Sequence, residues 1–436
     1  MKTSLLLLFA MLHFFTLDAQ TPAKLQSKWN EQAKAMESKL IEWRRYFHEH
    51  PELSNRETET GKRIAELLRA MGIEVQYPVA KNGVVGILKG GQPGPVVALR
   101  ADIDALPITE RNALPFASKV KVNFNGQETG VMHACGHDGH MAILLTVAEI
   151  LSKNKNEWKG TVKFIFQPAE EGVSPAEGTA GAELMIQEGV LENPKVDVVF
   201  GLHIQSLMPS GSLNYRSGPL MAAVDGFDIT VKGKGSHGAT PWDSIDPIVA
   251  TSQIINGLQT IVSRQTVLTE GAAVITVGSL HGGIRRNIIP EEVRLEGTIR
   301  TFGPEARKNV HQKIKTTAEK IAEASGAVAK VEIIEMYPAT INHAALSQKM
   351  VPSLIKVAGL EHVKEISPVT MAEDFSFFQE KVPGFFFFLG AYPADQPLEK
   401  QPAHHTADFM IDEKALVTGV KALLQLTSDY LYSTAH

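Results

Sequence analysis

Residues 96–107, VVALRADIDALP, show the pattern that decides the fold. An apolar run comes first, and two acids, Asp102 and Asp104, follow it. A continuously apolar run is typical of a strand that is buried on both faces of an α/β sheet, whereas a half-exposed strand alternates. Three other segments repeat this pattern: TVKFIFQPAEEG at 161–172, VDVVFGLH at 196–203 and GFFFFLGAY at 384–392. Helical patterns separate the runs, so the sequence predicts an α/β domain with a buried sheet.

The pattern changes between residues 223 and 337, where the order becomes strand, helix, strand, strand, helix, strand. This βαββαβ order predicts a ferredoxin-like module, and the segment is long enough to form a core of its own. The chain then returns to the first pattern. We therefore predict one discontinuous α/β domain, residues 28–222 and 338–436, with a compact domain inserted at residues 223–337.

The amino terminus, MKTSLLLLFAMLHFFTLDAQTP, carries one Lys, an apolar run and then small and polar residues. This order is typical of a secretory signal, and the apolar run is too short to span a membrane comfortably. We predict a cleaved signal at residues 1–19 and a secreted or periplasmic protein, with a retained N-terminal anchor as the alternative. No membrane association is expected after cleavage.

Charge argues against one class of partner. The 43 basic and 48 acidic residues leave a formal net charge of −5, and no basic run is long enough to neutralise a phosphate backbone. We therefore expect no nucleic-acid partner. The length of 436 residues and the 44% apolar content fit a soluble protein of two or three domains.

Possible metal ligands follow the predicted strands. In open α/β sheets, ligands bind at the carboxyl ends of the strands, so side chains placed there are expected to converge on one crevice. The side chains in question are Asp102, Asp104, Glu170, Glu171, His203, His404 and His405.

The segment MHACGHDGH, residues 132–140, holds the only cysteine of the chain among three histidines. A lone thiol forms no internal disulfide, so Cys135 is either a buried, inert side chain or a metal ligand. Cys135 and His137 are two residues apart and can face the same region, and the start of a following helix is expected to lower the thiol pKa. His133 and His140 are weaker candidates for direct binding.

Glu170 and Glu171 are adjacent, so they point in different directions and are not expected to do the same work. One can bind a metal while the other accepts a proton from a water. The alternative is two solvated acids on a surface loop. Their position after a buried strand and the Pro168-Ala169 turn favours the functional interpretation.

Seven motifs, in the same order along the chain, resemble those of one family. This is the amidohydrolase branch of the aminoacylase/carboxypeptidase metallopeptidases, which includes hippurate hydrolases, N-acyl-amino-acid amidohydrolases and plant auxin-conjugate hydrolases. The resemblance spans about residues 39–430. It implies a zinc-peptidase-like α/β domain with an inserted lid that also forms a homodimer. The motifs are MHACGHDGH, FQPAEEG, GLH, GKGSHGATP, RNIIP, MAEDF and HHTADF.

The resemblance also implies a site for two divalent metal ions, in which Glu170 is the general base. For the metal ligand near the carboxyl terminus, the resemblance favours His405 over His404. The family's histidine stands four residues before an aromatic residue, which is Phe409 in this chain. His237 matches a residue that stabilises the oxyanion, often from the partner subunit, and Asn287 matches a residue near the substrate. The implied metal ligands are Cys135, His137, Glu171, His203 and His405.

This branch differs from many relatives after the first core strand. Where they carry a His-x-Asp metal motif, this chain has Arg100-Ala101-Asp102, and Cys135 joins the ligands instead. The resemblance therefore implies that Asp102 supports the ligands without binding metal, and Asp138 is assigned the same role. Its precedent is manganese, with zinc, cobalt or nickel also open, whereas thiolate, imidazole and carboxylate ligands together favour zinc.

The leading hypothesis is hydrolysis of a small N-acyl amino acid to a carboxylic acid and an amino acid. Arg285, Arg286 and Arg300 are candidates for binding the substrate carboxylate, although each is equally consistent with a surface or interdomain arginine. The same chemistry would serve a dipeptidase, a carboxypeptidase or an N-acetyl-diaminopimelate deacetylase. A metal- or ligand-binding module without catalysis is the alternative from another class, and the intact Glu170-Glu171 pair argues against it.

Overall fold

A computed structural model describes residues 23–267, 271–393 and 397–433, so the predicted signal at residues 1–19 lies outside the described residues. Among the described helices, none combines the length and the apolarity that crossing a bilayer requires. Up to residue 222, the helices and strands are α1 Ala23–Ala35, α2 Glu37–Glu49, α3 Thr58–Ala70, β1 Glu74–Val79, β2 Gly83–Lys89, β3 Gln92–Asp102, β4 Lys121–Phe124, β5 Gln127–Gly130, α4 His137–Lys153, β6 Lys159–Gln167, α5 Gly181–Gln187, β7 Val198–Pro209, β8 Leu213–Tyr215 and β9 Gly218–Met221.

The rest of the described chain continues the numbering. Residues 223–337 form β10 Ala223–Lys232, β11 Ser236–His237, α6 Pro247–Gln265, β12 Ala273–Gly282, β13 Ile288–Ile289, β14 Glu292–Thr301, α7 Pro304–Ala324 and β15 Val328–Tyr337. The last part forms β16 Thr340–Asn342, α8 Ala344–Ala358, β17 Val363–Glu365, α9 Phe375–Lys381, β18 Gly384–Tyr392 and α10 Leu416–Tyr432.

The large sheet has eight strands in the order β1-β2-β6-β3-β7-β18-β8-β17. Its four central strands, β6, β3, β7 and β18, run parallel to one another. These are the four apolar runs of the sequence. Their carboxyl ends therefore lie at one edge of the sheet, and the predicted α/β class with a large central sheet is confirmed.

Burial on both faces explains why these runs do not alternate. In β18, Phe385 and Phe387 belong to the core on one face of the sheet, whereas Phe386 and Phe388 belong to the core on the other. Each fully buried phenylalanine contributes about 1.5–3 kcal/mol to folding. Helix α4 is buried from His137 to Leu151, which fits its apolar composition on all sides.

Residues 223–337 form a second sheet with the order β12-β14-β10-β15. Each pair of neighbouring strands is antiparallel. Helices α6 and α7 pack against this sheet around a separate apolar core that includes Phe227, Leu258 and Ile314. The strand order and the two helices are those of a ferredoxin-like module.

Candidate metal centre

The candidate ligands lie near the carboxyl ends of the central strands. Asp102 is the last residue of β3, and Glu170 follows the end of β6. His203 lies within β7, which continues to Pro209, so this histidine does not follow the end of its strand as the sequence predicts. Because β6, β3 and β7 are adjacent and parallel, these three side chains lie at one edge.

The turn before α4 supplies two more groups. Gly136 has a φ of 108°, in the left-handed region, and a Cβ there would lie 3.2 Å from Ile204. Glycine suits both the backbone conformation and this close approach. The turn allows Cys135 and His137 to face the same region, with His203 as the third member of the group.

Six side chains meet at this edge. Cys135 Sγ lies 3.4 Å from His203 Nε2 and 3.3 Å from His405 Nε2. His405 Nε2 lies 3.3 Å from a Glu171 oxygen, and His137 Nε2 lies 3.8 Å from a Glu170 oxygen. We call this group the metal cluster; its members are Cys135, His137, Glu170, Glu171, His203 and His405.

Backbone carbonyls fix the orientation of two histidines. His137 Nδ1 lies 2.8 Å from the carbonyl oxygen of Asp104, and His203 Nδ1 lies 2.7 Å from that of Ile204. An imidazole that donates from Nδ1 keeps the lone pair of Nε2 for another partner. In both residues Nε2 points to the metal cluster, as a metal-binding imidazole requires.

Two buried atoms in the cluster fit an ion. Within the described residues, neither His137 Nε2 nor Glu171 Oε1 makes a hydrogen bond of suitable geometry, although Glu171 Oε1 lies 3.3 Å from His405 Nε2. Buried polar atoms are nearly always paired, so such orphans together with imidazole, thiolate and carboxylate groups match the ligand chemistry of divalent metals. Groups of ligand atoms centred on Cys135 and on His137 make the site suited to two ions.

Three other histidines have different surroundings. His140 uses both ring nitrogens, one 2.6 Å from Asp102 Oδ1 and the other accepting from the N–H of Ile204. His404 Nε2 accepts from the N–H of Ser206. His133 is buried with no hydrogen-bond partner among the described residues, and burial lowers its pKa to about 3.

Asp102 is held between a cation and an imidazole. One oxygen accepts from Arg100 at 2.7 Å, and the other lies 2.6 Å from His140 Nδ1. Its nearest approach to His137 Nε2 is 3.7 Å. The structure therefore places Asp102 beside the metal cluster with both oxygens engaged by protein groups.

Asp138 lies in a different network from the one predicted. One of its oxygens is 2.7 Å from Arg44 Nε and 2.8 Å from His48 Nδ1. His48 in turn lies 3.2 Å from Glu110. Adjacent residues of a helix point about 100° apart, so Asp138 turns away from the cluster that His137 faces. We call Arg44, His48, Glu110 and Asp138 the Asp138 network.

The prediction of a lowered thiol pKa is wrong for the protein groups alone. Burial, and then Glu171 and Glu170, raise the pKa of Cys135 well above its usual value. Burial and Glu373 likewise raise the pKa of Glu170. Burial alone would lower the pKa of His137, but Asp102 and Asp104 raise it to about 10.

A cavity of about 460 Å³ adjoins the metal cluster. Its apolar wall includes Met221, Val224 and Met371, and Arg300 reaches it from β14. Burial lowers the pKa of Arg300, against the opposing effect of Asp225. Within the described residues, Arg300 is the only lysine or arginine that lines this cavity.

The remaining predicted residues lie elsewhere in the chain. His237 pairs with Ile288 in the short sheet of β11 and β13, and its side chain is exposed. Asn287 lies beside that sheet, and neither residue lines the cavity at the metal cluster. Arg285 and Arg286 are exposed in the same loop.

Arg100 and the MAEDF motif are visible in the sequence, but their contacts were not predicted from it. Arg100 is buried and lies 2.9 Å from Glu373 and 2.8 Å from Asp374. Tyr337 donates to the carbonyl oxygen of Glu170 at 2.8 Å. A charged residue within an apolar strand was the available signal for Arg100, because buried charges require partners.

The sequence matches the model of one protein family and is similar to two relatives over most of its length. The sequence model described as Peptidase family M20/M25/M40 matches residues 98–429. An N-acetylcysteine deacetylase from Bacillus subtilis (strain 168) is 41% identical over 394 residues, which cover 90% of this chain and 97% of that protein. Thermostable carboxypeptidase 2 from Saccharolobus solfataricus is 41% identical over 403 residues, covering 91% of this chain and 97% of the relative.

A solved structure supports the metal count. The Bacillus subtilis YXEP protein, described as a dinuclear metal binding peptidase from the M20 family, aligns with a TM-score of 0.75 and 38% identity. The alignment covers 92% of this chain and all of that chain. The resemblance found in the sequence motifs is confirmed, and the site is one for two metal ions.

Proposed function

The chain belongs to the peptidase family M20/M25/M40, and from this premise we propose that it hydrolyses the amide bond of N-acyl amino acids. Membership makes it a metal-dependent hydrolase of the amidohydrolase and peptidase class. The proposed substrate is a small molecule with an acyl group on one side of the amide and a free carboxylate on the other. The products are a carboxylic acid and an amino acid.

Arg300 is the observation that carries this proposal. Its guanidinium is half-buried beside the metal cluster, and Asp225, the acid that acts on its pKa, is already engaged by Arg307 and His311. A half-buried guanidinium is stabilised by a carboxylate, which it can bind through two N–H groups. A substrate carboxylate at Arg300 would place the neighbouring amide between the apolar wall and the cluster.

We propose that Cys135, His137, Glu171, His203 and His405 hold the two ions. His137 and His203 would bind through Nε2, because their Nδ1 atoms face backbone carbonyls. When bound, the ions supply positive charge that acidifies a water and polarises the amide carbonyl. Asp102 would support this arrangement through Arg100 and His140, without binding an ion itself.

Glu170 is proposed as the general base. Its carboxylate lies at the cluster, and its backbone is held by Tyr337. A carboxylate in this position can take a proton from the attacking water and then return it to the leaving nitrogen. Glu171 is directed to His405 instead, so the two adjacent acids have separate roles.

His237 and Asn287 are proposed to act in the site of a partner subunit of a homodimer. Both lie on the ferredoxin-like module away from the cavity of their own chain. An imidazole from the partner could donate a hydrogen bond to the developing oxyanion, which is worth a few kcal/mol when preorganised. Mixing subunits would test this arrangement.

The mixing experiment combines two inactive variants, Glu170→Gln and His237→Ala. If each site needs Glu170 from one chain and His237 from the other, random dimers recover about a quarter of the wild-type sites. Each variant alone stays inactive. If the mixture also stays inactive after confirmed subunit exchange, His237 acts within its own chain.

The substrate experiment measures amino acid release by the manganese- or zinc-loaded protein. Substrates are N-benzoylglycine, a panel of N-acetyl amino acids and matched dipeptides, each with and without chelator. We expect chelator-sensitive release from the acyl substrates. Arg300→Gln should raise KM for these substrates about tenfold or more, because a charge-assisted hydrogen bond is worth about 1.5–3 kcal/mol.

A carboxypeptidase activity is the second candidate, favoured by the 41% identity to a thermostable carboxypeptidase. A peptide substrate also presents a free carboxylate to Arg300, so the two candidates share the same cavity. Activity on dipeptides without activity on acyl substrates would select the peptidase. If neither the acyl substrates nor the dipeptides are hydrolysed while two ions are bound, both candidate functions are contradicted.

A further inference from the structure

A second cleft, of about 900 Å³, lies between α7 and α9 and includes the segment that follows β15. None of its lining residues belongs to the metal cluster or to the cavity beside it. The volume lies within the range of small-molecule sites in proteins. Its walls come from both sides of the junction where the ferredoxin-like module returns to the large sheet.

Two polar atoms at this cleft lack a partner. Ser376 is fully buried in the wall, and within the described chain its Oγ has no hydrogen bond. Gln379, one turn later on α9, donates to Asn342 but leaves its buried Oε1 unpaired. An unpaired buried polar atom costs about 1–3 kcal/mol, so both atoms favour a bound polar molecule.

The cleft carries both signs of charge and an apolar floor. Arg307 and Lys308 extend from the first turns of α7, whereas Glu335 and Glu380 come from β15 and α9. Arg307 is already paired with Asp225, which leaves Lys308 and Lys315 as the lysines that line the cleft; Lys308 extends from the same turn of α7 as Arg307. The floor is formed by Ile333, Ala339 and Ile341.

We propose that this cleft binds a free amino acid. The carboxylate of the zwitterion would lie at Lys308, its ammonium group at Glu380 and Gln379 Oε1, and its apolar side chain on the floor. A simple anion would leave Glu380 facing like charge, whereas Glu335 already lies 3.7 Å from Arg307. A simple amine would leave Lys308 unmatched. The free amino acid would also be a product of the enzyme, and this further step rests on the proposed function.

Two connections link the cleft to the reacting groups. Pro338 in the cleft directly follows Tyr337, which holds the backbone of Glu170. Ser376 lies two residues after Asp374, which binds Arg100. A ligand that orders these two segments would act on Glu170 and on the support of the metal cluster, so occupation is expected to change kcat.

Calorimetric titration of the manganese-loaded protein tests the binding. L-Leucine is compared with 4-methylpentanoate, which lacks the ammonium group, and with 3-methylbutylamine, which lacks the carboxylate. We expect leucine to bind one such site per chain and each analogue to bind about tenfold more weakly, since a hydrogen bond to a charged group is worth about 1.5–3 kcal/mol.

Variants assign the binding to the cleft. Glu380→Gln should reduce the difference between leucine and 4-methylpentanoate at least threefold, with Gln379 Oε1 left as a contact of the ammonium group, and Lys308→Gln should abolish the difference between leucine and 3-methylbutylamine. Lys330→Gln, an exposed lysine of β15 outside the cleft, is the matched control and should behave as wild type. Lys308→Gln should also retain the basal turnover measured without leucine.

Kinetics separate this cleft from product binding at the metal cluster. Leucine in the cleft changes kcat without raising KM, and Lys308→Gln removes that effect. Purely competitive inhibition, unchanged in the variants, would overturn the proposal, as would the absence of leucine binding at millimolar concentration. Calorimetry measures leucine binding without any turnover. The binding result can therefore be interpreted even if the proposed function is wrong.

Discussion

The first turn of α4 separates two buried polar groups that contrast in charge balance. On one side, Asp138 has Arg44 and His48 as partners, and these cations hold the pKa of its carboxyl well below the usual range despite its burial. On the other, His137 faces Glu170 and Glu171, and buried atoms lack partners. A network that balances its own charges stabilises the fold, whereas one with unpaired ligand atoms is completed by ions.

The largest effect should come from removing the proposed base. Glu170→Gln should lower kcat about a thousandfold, within the range that general base catalysis contributes, while two ions remain bound. The measurement is kcat together with metal content. Glu110→Gln, in the Asp138 network, is the matched control and should keep kcat within a few-fold. Equal losses of kcat in both variants would remove the distinction between the two groups.

Breaking the Asp138 network should instead lower stability. Asp138→Asn leaves Arg44 with Glu413 alone as an acidic partner among the described residues and should reduce the free energy of unfolding by about 3 kcal/mol, measured by urea denaturation. The metal content of the folded fraction should not change. The double variant Arg44→Met, Asp138→Asn should recover part of the loss. A proportional loss of metal in Asp138→Asn would show that the two networks act as one.

Removing the ions tests the other side of the comparison. At an ion concentration of about a hundred times the dissociation constant, chelation should lower the free energy of unfolding by about 3 kcal/mol per site. The same decrease is expected in Asp138→Asn, because the ions act on a separate group of side chains. A much smaller decrease in that variant would show coupling through α4.

The smallest effect should be a pH dependence in the Asp138 network. Burial opposes the charge of His48, but hydrogen bonds to Asp138 and Glu110 raise its pKa above 6.5. Because the folded-state pKa is the higher one, the stability that it contributes is complete below pH 6.5 and is lost as the pH rises through the folded value. The loss is about 1.4 kcal/mol for each pH unit that separates the folded and unfolded pKa values.

Unfolding measured between pH 5 and 9 checks this sign. Wild type should lose stability as the pH rises above 6.5, and His48→Gln should lose less over the same interval. His50→Gln, an exposed histidine just after the same helix, is the control and should follow wild type. A steeper decline in His48→Gln than in wild type would contradict the assignment.

The sheet could be predicted from the sequence because burial on both faces leaves a direct trace. The four phenylalanines of β18 divide between two cores, one on each face of the sheet, which is the burial that a continuously apolar run predicts. The meeting of Cys135, His137 and the glutamates at one edge also follows from their order after parallel strands. Both inferences depend on local pattern and on the direction of the strands.

Other features depend on contacts that a single sequence does not encode. Asp138 could not be separated from His137 without knowing which side of α4 faces Arg44, a residue of α2. The pKa of Cys135 was predicted in the wrong direction, because the prediction considered the helix start and not the burial and the two glutamates, which raise this pKa. The place of His237 in a dimer stays a prediction.

The exposure of His405 affects how the ions enter and leave the metal cluster. Cys135, His137 and His203 are buried in the turn before α4, in α4 and in β7, whereas His405 lies in a loop, with a φ of 59° and a side chain 52% exposed. Rotation of this one side chain would open a path to solvent while the sheet stays intact. An ion that shares His405 is therefore expected to exchange faster than its neighbour, so the two ions would differ in residence time even where their affinities are equal.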